Sequence, residues 1–62
     1  MMMTCTEIMA NDLMQQIKFA MMDMRSVAIV SNDGWIKDKM RTAILDLSAK
    51  MGGWLPERMD EI

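Results

Sequence analysis

From Thr4 to Val30 the chain contains no glycine and no proline, and the next breaker is the cluster Ser31-Asn32-Asp33-Gly34. An uninterrupted stretch of that length favours one long helix, because Gly and Pro are the residues that most strongly end helices. Its start is marked by Thr4-Cys5-Thr6-Glu7, the pattern of a capping box: the Thr4 hydroxyl serves the third amide and Glu7 reaches back. Ala10, Leu13, Ile17, Ala20, Met24 and Val27 recur at steps of three and four, which lines them along one seam. Met14, Met21 and Ala28 widen that seam on one side. The reading is a helix over about 5–30, about 38 Å long at 1.5 Å per residue.

Ser26-Val27-Ala28-Ile29-Val30 is rich in β-branched residues that also suit a strand. Nothing else in the chain offers a strand to pair with it, and a lone strand is not stable. It is therefore read as the end of the first helix, with a strand formed between subunits as the minor alternative. In the break that follows, Asn32 or Gly34 can take the left-handed conformation that ends a helix, and Asp33 can cap the next one.

The second helix is expected over about 34–51, with Ile36, Met40, Ala43, Ile44, Leu47 and Met51 on one face. Lys37, Asp38, Arg41, Thr42, Asp46 and Ser48 fill the remaining arc. Gly52-Gly53 stops it. The segment 54–62 is a tail, with Pro56 suited to the first turn of a short helix carrying Glu57 to Ile62. The fold class is thus all-α in one domain, 1–62: an antiparallel helical hairpin whose C-terminal segment folds back. Trp54 and Leu55 are expected over the open end of the hairpin, where an indole stabilises by about 2 kcal/mol or more.

The first helix carries more apolar surface than one partner helix can cover. Ile8, Phe19, Met22, Ile29 and Val30 lie off its seam, and Trp35 and Leu45 lie off that of the second helix. A helix apolar on two sides is usually sandwiched between neighbours, and a single small core rarely supplies more than about 3–5 kcal/mol. The expected assembly is a homodimer, two hairpins making a four-helix bundle; the same surface engaging a host protein is the competing version. The candidate protein-contact residues are Ile8, Phe19, Met22, Ile29, Trp35 and Leu45.

Composition excludes several chemistries. There is no histidine and one cysteine, Cys5. These counts remove a Ser–His or Cys–His nucleophile pair, a His-based metal site and an internal disulfide. Glu7, Asp12 and Asp23 read as solvated faces rather than metal ligands, and Asp33-Gly34 falls far short of a calcium loop. Cys5 sits at the start of the first helix, where the helix dipole can activate a thiol, yet no other catalytic group accompanies it. No catalytic, cofactor-binding or metal residue is assigned, and the chain is read as no enzyme and in need of no cofactor.

Seven basic residues face nine acidic ones, a net charge of −2. Nucleic-acid binders concentrate positive charge to neutralise phosphates, so a nucleic-acid partner is disfavoured. The alternative function is a compact helix-turn-helix reader using Lys37, Lys39, Arg41 and Lys50, but Asp38 and Asp46 alternate with them. No apolar run reaches the roughly 18 residues of a membrane span, and no secretory leader is recognisable, so a cytoplasmic location is expected. Small-molecule substrates are not implied. Eleven methionines are read chiefly as flexible core filling, with a plastic binding surface as the sharper use. Met1, Met2 and Met3 are attributed to closely spaced start codons or a frayed terminus.

The run DLMQQIKFAMMDMRSVAIVSNDGWIKDKM and the closing GGWLPERMDEI resemble, in size and general character, the small helical proteins of lambdoid phage early regions. The likeness is to the short open reading frames between the exonuclease and excisionase genes of lambda and Shiga-toxin-converting phages. It implies a non-enzymatic early regulator that influences host physiology or the lysis–lysogeny choice through protein contacts. It brings no residue with an assigned role.

Overall fold

The computed structural model describes residues 4–62; the reading of Met1 to Met3 lies outside them. Two helices, α1 (Cys5–Val30) and α2 (Gly34–Lys50), form a hairpin with no strand among the described residues. Thr4 caps α1 through its side chain, accepting from the Glu7 amide (3.2 Å) while the Glu7 carboxylate accepts from the Thr4 amide (3.4 Å). Asp33 caps α2 by accepting from the amides of Trp35 and Ile36 (2.8 and 3.3 Å). These caps satisfy amides that a helix start leaves without partners.

Ser26–Val30 is helical. The Ser26 hydroxyl donates to the Met22 carbonyl at 3.0 Å, a local bond that lets serine sit within a helix. The turn corrects one expectation, since neither Asn32 nor Gly34 is left-handed. Ser31 instead ends α1 in an extended conformation (φ −74°, ψ 139°), and its hydroxyl accepts from the Asp33 amide. This bond holds the turn without a left-handed residue.

The C-terminus of α2 is closed by glycine. Gly52 and Gly53 have φ of 70° and 90°, and the Gly53 amide donates to the Ser48 carbonyl at 2.8 Å. That is the long bond of a Schellman cap, which a left-handed residue makes possible. Beyond it the tail forms one 3-10 turn, Met59–Glu61, in place of the short helix expected from Pro56. Arg58, at φ 65°, reverses the chain and prevents a continuous helix over Glu57 to Ile62.

The core is small: Met21, Ala28 and Ile44 are fully buried, joined by Ser48 and Pro56. The α1 seam is therefore rotated from the expected one. Met21 and Ala28, read as its flank, are its centre, while Leu13, Ala20 and Val27 are exposed. The cause is the tail, a third element that draws the centre of burial towards its own side.

The tail lies against both helices: Arg25 Nη1 donates to the Glu57 carbonyl (3.1 Å) and Arg41 Nη2 to the Ile62 carbonyl (3.3 Å). Trp54 is half-buried beneath Lys18, whose Nζ is 5.2 Å from the ring centre. Leu55, expected to cover the core with Trp54, is exposed, and Pro56 is buried in its place.

Candidate interaction surface

Lys37, expected on the polar arc of α2, is half-buried and turned towards α1. Its Nζ donates to the carbonyl of Ala28 (2.9 Å) and more weakly to that of Ile29 (3.4 Å). The last turn of α1 has no basic residue of its own, so α2 provides the cation that its terminal carbonyls favour. The clue in sequence was spacing: Lys37, Ile44 and Met51 recur every seven residues and so share one side of α2.

Lys18 and Arg25, also seven apart, fall on the tail side of α1, where each engages the tail. Arg25 Nη2 further donates to the Ser26 hydroxyl (3.4 Å), whereas its Nε is buried without a partner among the described residues. In the tail, Arg58 and Glu61 form an ion pair. The hydrogen bond from Arg58 holds the Glu61 carboxyl below the usual carboxylate range, and the same bond raises the Arg58 guanidinium.

The tail thus covers one side of the hairpin and leaves the opposite side bare. Helical geometry places Leu13, Ile17, Ala20, Met24 and Val27 of α1, with Ile36, Ala43 and Leu47 of α2, on or bordering that bare side. Leu13 is 57% exposed and Val27 46%, Ala20 is exposed, and Ile17, Met24, Ile36, Ala43 and Leu47 are half-buried. The α1 rod is about 39 Å long and α2 about 26 Å, so the start of α1 projects past its partner. Residues 4–16 are all exposed, Met9 at 64%.

The six candidate contact residues do not form one patch. Ile8 and Phe19, eleven apart, share the far side of α1 and are exposed. Met22 and Ile29 are half-buried on the side of α1 where the tail lies. Trp35 is exposed on the outer side of α2, with Lys39 Nζ 5.8 Å from its ring centre. Leu45 is exposed a quarter-turn or so from the buried Ile44.

Cys5 is free and exposed. Among the described residues no group of His, Cys, Asp or Glu is placed to hold a metal ion, and no enclosed cavity is present. No described helix is long and apolar enough to cross a membrane. No family model, curated protein or solved structure matches the chain.

Proposed function

We propose that this chain is a small, non-enzymatic protein-interaction module that self-associates into a four-helix bundle and acts through contacts with other proteins. The observation that carries this reading is the imbalance between core and surface. Among the described residues three apolar side chains, Met21, Ala28 and Ile44, are fully buried, while Leu13, Phe19, Val27, Val30 and Trp35 are among ten large apolar residues left exposed. Single exposed apolar residues are ordinary, but Leu13 and Val27 share one exposed side of α1 with Met9 and Ala20, and such a shared face marks a surface to be covered.

The resemblance to early-region phage proteins supplies a setting: a regulator in the host cytoplasm that affects host physiology or the lysis–lysogeny choice. Duplex-DNA reading receives less support. Lys37 and Arg41, two of the basic residues α2 would present, are engaged within the chain.

Charge reversal tests the contact residues. Phe19→Glu and Met22→Glu, away from the side of α1 that carries Leu13 and Val27, are expected to weaken partner capture by tenfold or more. Unchanged capture in both variants would remove these residues from the surface. Titration with duplex DNA at low salt is expected to show negligible binding; tight binding that falls steeply with added salt would replace the proposal with a DNA-reading function.

A further inference from the structure

Met9, Leu13, Ile17, Ala20, Met24 and Val27 make a stripe along α1 on the side away from the tail, exposed at Met9, Leu13, Ala20 and Val27 and half-buried at Ile17 and Met24. None of these residues ionises. The charged residues of α1, namely Glu7, Asp12, Lys18, Asp23 and Arg25, all lie off this arc. Resting on the proposed self-association, we infer that the stripe binds the same stripe of a second copy, with the two α1 helices running antiparallel across a two-fold axis. Leu13 then faces Met24 of the second copy, Ile17 faces Ala20, and Met9 faces Val27.

Three observations favour this occupant. The stripe is self-complementary, because its residues fall in pairs equally spaced about a point near Lys18. A two-fold interface requires that symmetry: if one residue meets another, the second must meet the first. The projecting start of α1 is the second. A helical segment shorter than about 12–15 residues is marginal in water, and α2 does not reach this one. Antiparallel pairing lays Met9 and Leu13 along the C-terminal half of the other α1, whereas parallel pairing leaves both projections side by side beyond the bundle.

Area is the third. The molecule measures 48 × 17 × 16 Å. One long face of this Cα envelope is about 800 Å2 in projection, so pairing whole faces, α2 included, reaches about what each partner buries in a stable interface of standard size.

Cysteine pairs test the arrangement. In a Cys5→Ser background, Leu13→Cys and Met24→Cys variants are mixed and mildly oxidised, then resolved without reductant. A mixed disulfide should dominate, with little Leu13→Cys homodimer. Predominant homodimer, or a dimer by sedimentation that yields no mixed disulfide, overturns the inference and leaves self-association standing.

Ala20→Asp provides a second arm, since Ala20 is exposed in the hairpin and its replacement should leave helicity by circular dichroism unchanged. It should weaken self-association by at least tenfold. A helical Ala20→Asp variant that associates like the parent overturns the inference. A parent chain that sediments as a monomer removes the inference and the proposed function's self-association together.

Discussion

Lys37 ties the two helices together by placing its ammonium 2.9 Å from the carbonyl oxygen of Ala28. A charge-assisted bond in a partly buried position is stronger than a neutral one, and it ends on carbonyls that the helix leaves unpaired. Lys37→Met keeps most of the apolar stem and removes the donor. It should destabilise the fold by about 1–2 kcal/mol, seen as a lower urea midpoint with unchanged slope. An unchanged midpoint would mean that solvent serves those carbonyls equally well.

The rotated seam makes its own prediction. Met21→Ala and Ile44→Ala should each cost about 2–4 kcal/mol, because they empty the centre of a core with little else in it. Against a total of about 3–5 kcal/mol, either change should leave much of the chain unfolded at room temperature. Circular dichroism checks this directly. Full helicity in both variants would place the centre of the core elsewhere.

Glycines at two helix ends should respond in opposite directions. Gly34 has ordinary helical geometry and open space where a side chain would go, so Gly34→Ala should stabilise by about 0.5 kcal/mol or more. Gly52 also has open space, but its φ of 70° is strained for any L side chain, and Gly52→Ala should destabilise by about 1 kcal/mol. Thermal midpoints that move the same way in both variants would contradict the Schellman closure of α2.

Acid should act on the tail through Glu61. Its carboxyl is held below the usual range by the Arg58 hydrogen bond, so its contribution is complete at neutral pH, above the unfolded value. That contribution declines as pH falls through the carboxylate range and disappears below the folded value. The effect is small because both groups are exposed to solvent. Trp54 fluorescence followed in acid should change less in a Glu61→Gln variant than in the parent, and an identical profile would exclude this pair.

The helices, their caps and the glycine stop were legible in the sequence because each depends on residues within a few positions: Thr4 with Glu7, Asp33 with Trp35, Gly52 with Ser48. The facing of α1 was not. The row through Leu13, Ala20 and Val27 and the row through Met14, Met21 and Ala28 both satisfy helical spacing, one residue apart.

The tail packs back on the Met21 side of the hairpin, with Pro56 buried, and its contacts with Arg25 and Arg41 span 32 and 21 residues, which no local pattern encodes. Met22 and Ile29, on that same side of α1, are half-buried rather than free. The row first read as an internal seam is consequently the one left for a second copy.

Sedimentation equilibrium on the purified chain, from low to high micromolar, tests the uncovered apolar face most directly. The mass should rise with concentration to about twice the 7.1 kDa of one chain. A fully helical chain that stays at the single-chain mass throughout would contradict it.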